Sequence, residues 1–287
     1  MLDDEKTTFI NEHMDNVILS IDGRPEVNDR MRKTVDGGGS YSHIAGKLTR
    51  FAEARAGGKG QKEAAPSNPT PSRGAAFGKS PLYYVRGTYT AFNKDFSEDV
   101  LHLARLGFAN ISLEPAVTDR DEPWALGEAD LPELFAEYDR LADLVLESEE
   151  TDEPISFFHF KVDLDQGPCV FKRASGCGAG TEYIAITPEG DIYPCHQFVG
   201  DPEYRLGNVN DDHFENRLAD TFRKAHIFSK EDCGTCWAKY YCSGGCHANA
   251  LHANKDLMKP HRLSCELEKK RLECAIGLAA KRALRET

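Results

Sequence analysis

The sequence of residues 233–246 is Cys233-Gly234-Thr235-Cys236-Trp237-Ala238-Lys239-Tyr240-Tyr241-Cys242-Ser243-Gly244-Gly245-Cys246. Its cysteines are separated by two, five and three residues, and the last gap holds two glycines that allow tight backbone turns. Further cysteines stand at five positions, Cys169, Cys177, Cys195, Cys265 and Cys274, and none precedes them. This crowding at one end of the chain indicates a metal cofactor, and seven or eight sulfurs fit two clusters.

The composition is that of a globular protein. With 287 residues and 40% hydrophobic content, the chain is long enough for one large domain or two ordinary ones. The formal charge of -12 disfavours nonspecific binding to a phosphate backbone, and no run of basic residues with interleaved aromatics offsets it. Nucleic acid is therefore not an expected partner.

The N-terminal residues, from Met1 to Lys6, lack the basic start and the apolar stretch of a secretory signal. No segment of the sequence has the apolar length needed to span a bilayer. We therefore expect a cytoplasmic protein without a membrane partner. In that reducing compartment disulfides are a poor explanation for nine cysteines, which favours metal ligation.

The first half of the chain alternates between helical and strand patterns. The predicted elements are helix 3–14, strand 17–21, helix 41–54, strand 83–90, a helix from the N-cap Ser97 to Gly107, strand 111–113, helix 130–148 and strand 155–161. This alternation predicts an α/β fold with a parallel sheet, at whose strand ends ligands gather. About four strands are few for a closed barrel, so we expect a partial (β/α) barrel that lacks its first units.

Two changes of composition divide the chain. Residues 57–81 contain sixteen Gly, Ala, Ser and Pro residues among twenty-five and no hydrophobic period, which predicts a disordered insertion in a loop. After residues 166–168 the predicted elements become short strands and turns. The predicted domains are therefore residues 1–165, the partial barrel, and residues 166–287, a small cysteine-rich domain.

A β-hairpin and a closing helix are predicted in the cysteine-rich domain. The hairpin covers residues 182–195, with a tight turn over residues 188–191, and delivers a cysteine at its end. The helix covers residues 264–285, and its apolar stripe consists of Leu272, Ile276, Ala279 and Ala283. Cys274 on this helix is expected to be a buried thiol outside any cluster.

Two metal cofactors fit the cysteine array. Zinc takes four thiolates in a tetrahedron and often uses matched Cys-x2-Cys pairs. A four-iron four-sulfur cluster needs four converging thiolates, and a close pair such as Cys233 and Cys236 can supply two of them. The irregular spacing after Cys236 and the number of candidate ligands favour iron-sulfur clusters, and zinc remains the alternative.

The cysteine order and spacing in residues 166–287, with the stretch 186–195, resemble the SPASM domain of radical S-adenosylmethionine enzymes that modify peptides. Upstream, the stretches 20–23 and 29–32 are similar to the middle of that family's partial barrel. Further stretches resemble the SCIFF maturases, namely residues 84–88, 107–115 and 194–201. Those enzymes join a cysteine sulfur of a small cysteine-rich peptide to the α-carbon of a threonine, which makes a thioether.

The resemblance implies two auxiliary 4Fe-4S clusters. The implied ligands are Cys233, Cys236, Cys242 and Cys265 for the distal cluster, and Cys177, Cys195 and Cys246 for the nearer one. Cys169 fills the fourth position of the nearer cluster, or that position stays open for the substrate thiolate, which metal coordination deprotonates. S-adenosylmethionine and a third 4Fe-4S cluster are implied only for the full-length enzyme. The implied partners are a small cysteine-rich precursor peptide and an electron donor such as ferredoxin or flavodoxin.

The sequence departs from the family pattern at two places. The radical-initiating motif Cys-x3-Cys-x2-Cys is absent, so we expect that the sequence starts after the first three βα units and is inactive in isolation. The aspartate base that sulfatase-maturing relatives place after the cysteine equivalent to Cys195 is replaced by His196. The alternative to an enzyme fragment is a non-catalytic peptide-binding module, stabilised by iron-sulfur clusters or by zinc.

Three residues of the barrel part are candidates for cofactor binding. Ser20 and Asp22 follow a predicted strand, and they either contact the ribose or amino-acid part of S-adenosylmethionine or cap a turn. Arg86 either binds a carboxylate in the barrel mouth or is a surface residue. His196 and His247 adjoin ligand cysteines, and we expect them to be solvated rather than to tune a cluster.

Overall fold

The computed structural model describes residues 2–56, 82–152, 154–162, 174–212 and 216–285. The chain divides into two compact units. The first unit comprises Met1–Ala116, Pro132–Asp163 and Glu273–Thr287, and the second comprises Val117–Leu131 and Leu164–Leu272. The predicted insertion over residues 57–81, the predicted boundary at residues 166–168 and Cys169 lie outside the described residues.

Helices and strands alternate in the first unit, which confirms the predicted α/β pattern. The elements are α1 (Asp4–His13), β1 (Asn16–Ser20), α2 (Pro25–Met31), α3 (Tyr41–Ala56), β2 (Leu82–Tyr89), α4 (Phe96–Arg105), β3 (Ile111–Pro115) and α5 (Leu131–Ser148). The strands form a parallel sheet in the order β1-β2-β3, with Ser20 opposite Arg86 and Arg86 opposite Ser112. The partial barrel remains a prediction.

The two faces of this sheet differ because strand side chains alternate in direction. On β2, Val85 and Tyr89 are fully buried, whereas Arg86 is only half-buried. The Tyr89 ring stacks on Phe96 of α4 with centroids 4.4 Å apart, and its hydroxyl lies 3.0 Å from that of Tyr138 on α5. Two helices therefore cover the apolar face, and the opposite face presents the polar side chains.

A buried carboxylate joins the end of β1 to α4. Asp99 accepts the backbone N–H and the Nε–H of Arg24 at 3.0 and 2.9 Å, and the side-chain amide of Asn93 at 3.1 Å. Burial raises the pKa of Asp99, and these donors oppose that effect. Gly23 has a φ of 135°, and a Cβ there would lie 2.4 Å from Asp99, so this position requires glycine.

Two local predictions in the first unit are wrong. Residues 155–161 do not form a strand: Phe157 makes one parallel bridge to Ile111, and Phe158–Phe160 is a 3-10 turn. This turn lets Phe157 and Phe160 bury their rings together, 4.9 Å apart, whereas a strand places residues three apart on opposite faces. Ser97 is not the N-cap of α4. Asp95 precedes the helix, and Ser97 is buried within it, where its N–H donates to Glu137.

The second unit consists of short elements. These are β4 (Ala185–Ile186), β5 (Asp191–Tyr193), β6 (Gly207–Asn208), α6 (Ala219–Lys224), α7 (Lys239–Cys242) and α8 (His247–Asn254). The last helix, α9 (Arg262–Arg285), belongs to this unit as far as Leu272 and to the first unit from Glu273 onward. The strands are antiparallel in the order β4-β5-β6, which confirms the predicted hairpin. Tyr193, Phe198, Phe222 and Leu257 belong to the core beneath it.

The closing helix α9 is confirmed, but its predicted apolar stripe is wrong beyond Leu272. Ile276 is 38% exposed, whereas Ala275 and Leu278 are each 1% exposed. The C-terminal part of α9 faces α5, because Cys274 is buried with its thiol 3.6 Å from Asp139 and Lys281 lies 3.0 Å from Asp143. In the described part of the chain, no helix combines the length and apolarity needed to cross a membrane.

The contacts of Asp99 predict that Asp99 and Asp95, which both bind Arg24, contribute differently to the unfolding free energy. Asp99→Ala leaves Arg24 and Asn93 without their buried acceptor, so we expect a loss of about 2–4 kcal/mol in unfolding free energy. Asp95→Ala removes a 53% exposed partner of the same arginine and should cost less than about 1 kcal/mol. Urea unfolding followed by circular dichroism compares the two variants, and equal losses would contradict the assignment.

Candidate metal centre

The β4–β5 hairpin positions Cys195. Cys195 lies shortly after the end of β5 and is the N-cap of the 3-10 turn His196–Phe198. The Cys195 sulfur accepts the backbone N–H of Gln197 at 3.4 Å, a contact that favours a negatively charged sulfur. Burial nevertheless raises the pKa of the Cys195 thiol to about 11.

Two further thiols stand near Cys195. Cys246 and Cys177 add to the rise in the pKa of Cys195, because a thiolate there would face their negative charges. Both of these cysteines are exposed, whereas Cys195 is buried. We call Cys177, Cys195 and Cys246 the first cysteine group.

The other four thiols of the module also interact with one another. Burial raises the pKa of Cys242 to about 12, and the charge of Cys265 contributes. Burial likewise raises the pKa of Cys265 to about 11, with contributions from Cys233 and Cys236. We call Cys233, Cys236, Cys242 and Cys265 the second cysteine group.

A three-residue loop joins one member of the second group, Cys242, to one member of the first, Cys246. Ser243, Gly244 and Gly245 have φ values of 59°, 87° and 69°, in the left-handed region that favours glycine. The loop joins Cys242, at the end of α7, to Cys246, the N-cap of α8. Hydrogen bonds from the backbone of Gly244 and Gly245 lower the pKa of Cys242, against the effect of burial.

A buried lysine lies next to this loop. Lys230 is 4% exposed, and its ammonium donates to the Gly244 carbonyl at 2.7 Å. Burial lowers the pKa of Lys230, whereas the charges of the cysteines around it raise that pKa. Those cysteines are Cys233, Cys242, Cys246 and Cys265. The burial of Lys230 was not predicted from the sequence, because its neighbours in the chain resemble a surface turn.

The donor set fits iron-sulfur clusters. Four grouped thiols match the four iron corners of a cubane, and three grouped thiols leave one corner for another ligand. Buried thiols with raised pKa values need a nearby cation to become thiolates at neutral pH, and a cluster supplies it. Among the described residues, no three His, Cys, Asp or Glu side chains are arranged to hold a single metal ion.

The two histidines beside the cysteine groups differ in environment. His196 is exposed, as expected, and its ring lies near Tyr183. The expectation that His247 is solvated is wrong, because its side chain is 3% exposed. Its Nε2 lies 3.1 Å from the Ala225 carbonyl, and its buried Nδ1 has no hydrogen-bond partner among the described residues. Burial lowers the pKa of His247 to about 4 and keeps the ring neutral.

Among the three cofactor candidates of the first unit, Ser20 ends β1, Asp22 follows that strand, and Arg86 lies within β2. Ser20 is exposed and stands beside Arg86 in the register. Asp22 is buried, and its carboxylate accepts two hydrogen bonds from Arg32 at 2.8 and 2.9 Å and two from Thr88 at 2.9 and 3.1 Å. The Asp22 oxygens therefore tie β1 to β2, and a contact with S-adenosylmethionine remains a prediction.

The polar face of the sheet also contains residues that the sequence did not single out. Glu114 accepts the Arg86 guanidinium at 2.6 Å, and Ser112 Oγ lies 2.8 Å from His159 Nε2. The His159 ring is 3.8 Å from Glu114. The alternation of side chains along β3 was the sequence signal that could have placed Ser112 and Glu114 on this face. His159 lies in the segment that was wrongly predicted as a strand.

Comparison with protein families identifies the cysteine module. Residues 177–237 match the SPASM iron-sulfur cluster-binding domain. The matched SPASM segment contains Cys177, Cys195, Cys233 and Cys236, and it ends before the remaining cysteines of both groups.

Two curated relatives are maturation or biosynthesis proteins. The chain is 37% identical over 92 residues to the antilisterial bacteriocin subtilosin biosynthesis protein AlbA of Bacillus subtilis, covering 29% of this chain and 20% of that protein. It is 34% identical over 82 residues to the cysteine-type anaerobic sulfatase-maturating enzyme of Clostridium perfringens, covering 26% and 22%. The matches thus span about a fifth of each relative.

Solved structures show the same fold. Native anSMEcpe with bound AdoMet superposes with a TM-score of 0.67 at 18% identity, over 100% of this chain and 74% of that chain. Streptococcus suis SuiB bound to S-adenosylmethionine gives a TM-score of 0.52 at 14% identity, over 92% and 57%. At these identities the likeness concerns the fold alone.

The thiol environments predict an order of alkylation in metal-free protein. Cys177 is exposed, whereas burial raises the pKa of Cys242 to about 12, so iodoacetamide at pH 8 should modify Cys177 well before Cys242. Modification of Cys242 should accelerate about tenfold per pH unit as its thiolate fraction rises. Peptide mass spectrometry of one chelated, anaerobic sample measures both sites. Equal rates at pH 8 in folded protein would contradict the assignment, and unfolded protein provides the control.

Proposed function

We propose that this chain is the C-terminal portion of a radical S-adenosylmethionine peptide maturase. Its reaction would form a thioether between a cysteine sulfur and a threonine α-carbon in a small cysteine-rich peptide. The supporting observation is the separation of seven cysteines into a group of three and a group of four, within a chain that matches a SPASM domain. A single zinc site would not use two such groups.

Each group would hold one auxiliary 4Fe-4S cluster. The second cysteine group supplies four thiolates, and the first supplies three. The fourth position of the cluster on the first group would be open to the substrate thiolate, with Cys169 as the competing ligand. When bound, this cluster supplies a Lewis acid for the substrate sulfur and an acceptor for an electron.

The protein's own residues would hold the substrate sulfur at this position. Cys195 is buried under the hairpin, while Cys177 and Cys246 are exposed, so the first cysteine group is reachable from solvent on one side. His196 stands on the exposed side next to Cys195, at the position of the aspartate base in sulfatase-maturing relatives. A substrate sulfur that loses its proton on coordination needs no carboxylate base there, which favours thioether formation.

The first unit would bind S-adenosylmethionine. The polar face of its parallel sheet presents Ser20 and Arg86, which would contact S-adenosylmethionine together with the strand-end residue Asp22. The sequence contains no Cys-x3-Cys-x2-Cys motif, and we propose S-adenosylmethionine and a third 4Fe-4S cluster only for the full-length enzyme. An electron donor such as ferredoxin or flavodoxin in the cytoplasm would supply the reducing electron.

Anaerobic reconstitution tests the two-cluster proposal. We expect brown protein with about eight irons per chain, because two cubanes hold that number. Cys242→Ala and Cys195→Ala should each lower the iron content to about four, since they act on different groups. Cys274→Ala is the matched control, because Cys274 is buried against Asp139 in the first unit, and it should keep about eight irons.

Iron and sulfide assays with Mössbauer spectroscopy measure these contents. A colourless protein with stoichiometric zinc would contradict the iron-sulfur assignment and favour a zinc-stabilised peptide-binding module. Loss of all iron in either cysteine variant would show that the seven thiols do not form two independent groups.

The open coordination position predicts a thiol-specific response to peptide. A cysteine-containing substrate peptide should change the electron paramagnetic resonance spectrum of the reduced cluster on the first group, and the same peptide with serine should not. Cys169→Ala should keep the iron content and the response. If the cysteine peptide acts only on Cys169→Ala and not on the unaltered chain, Cys169 is the fourth ligand.

A further inference from the structure

Lys230 is a buried cation placed among cysteines of both groups. Its side chain is 4% exposed, and the thiols that face it are Cys242, Cys233 and Cys265 of the second group and Cys246 of the first. Burying an ammonium costs several kcal/mol unless negative or strongly polar groups compensate it. The Gly244 carbonyl, 2.7 Å away, compensates it in the fold, and the cysteines around it would add negative charge once they become thiolates.

The position of this ammonium is fixed by the loop between the groups. Along the chain, Cys242 and Cys246 flank the Gly244 carbonyl that accepts the Lys230 hydrogen bond. The lysine stem packs against the same loop: a Cβ at Gly244 would lie 3.5 Å from the Lys230 Cδ atom. One hydrogen bond and one packing contact therefore hold the charge near both groups.

Other charged groups around the second cysteine group are less able to act in this way. Glu268 faces Cys242 with a negative charge and is paired with Arg271. Lys269 faces Cys236 and Cys265, but it is about one-third exposed and lies 2.8 Å from Glu266, which offsets its charge. Lys230 is fully shielded from water, and solvent screens its field less.

We propose that the Lys230 ammonium is a fixed counter-charge shared by the two cysteine groups, and that it raises the reduction potentials of the clusters these groups hold. The proposal rests on the proposed function, because it requires both clusters. One-electron reduction makes a cluster one unit more negative, so a nearby positive charge stabilises the reduced form more than the oxidised form. Lys230 is a positioning and tuning residue rather than a ligand.

Two variants of Lys230 separate its charge from its hydrogen bond. Lys230→Gln keeps a donor for the Gly244 carbonyl but removes the charge, and Lys230→Arg keeps the charge. Lys239→Gln is the matched control. Lys239 also donates to a glycine carbonyl between two ligand cysteines, Gly234, at 2.6 Å, but this bond is exposed to solvent.

The experiment is a redox titration of the anaerobically reconstituted full chain, followed by electron paramagnetic resonance, with iron content measured for each sample. We expect Lys230→Gln to shift both cluster potentials to more negative values at unchanged iron content. Lys230→Arg should retain the original potentials more closely. Lys239→Gln should shift them less than Lys230→Gln, because water screens the charge that it removes.

Each contrary outcome has a distinct meaning. If the unaltered chain takes up no iron, the proposed function fails, and this inference fails with it. If the Lys230→Gln variant binds the full amount of iron but its cluster potentials shift no further than those of Lys239→Gln, only the inference is overturned. A shift confined to one cluster contradicts the shared charge. Equal loss of iron in Lys230→Gln and Lys230→Arg assigns the residue a structural role and overturns the tuning role.

Discussion

The second unit depends on one electrostatic constraint: buried sulfur does not tolerate negative charge without a cation. Burial raises the pKa of Cys195 and Cys265 to about 11 and that of Cys242 to about 12, so the metal-free fold keeps these groups as thiols. The hairpin, the left-handed loop and the buried Lys230 all bring donors or positive charge toward those sulfurs. Hydrophobic packing alone does not explain this arrangement, because the elements of this unit are short and its core is small.

In the first unit, two buried carboxylates hold the ends of the parallel strands in place, while one face of the sheet stays polar. Asp22 joins β1 to β2 through Arg32 and Thr88, and Asp99 joins the loop after β1 to α4 through Arg24. Because these carboxylates are buried and hydrogen-bonded within the fold, the more exposed polar groups are Ser20 and the Arg86–Glu114 pair.

Sequence patterns predicted what depends on neighbours along the chain. The enrichment of residues 83–90 in β-branched and aromatic side chains located β2, and the turn at residues 188–191 located the hairpin, because these signals are local. The grouping of the cysteines came from a family resemblance. The burial of Lys230 and His247 was not predictable, since it depends on residues distant in sequence. The strand predicted at residues 155–161 was wrong, because Phe157 and Phe160 bury their rings together in a turn and do not extend the sheet.

The raised thiol pKa values also link cluster assembly to acidity. Each thiol that becomes a ligand gives up its proton, so filling both groups releases protons to solvent, and occupancy falls as the medium becomes more acidic. Burial raises the pKa of Cys195 in the first group, and of Cys242 and Cys265 in the second, to about 11 or 12. Each group therefore contains at least one sulfur that retains its proton strongly, and acidification would weaken the occupancy of both groups.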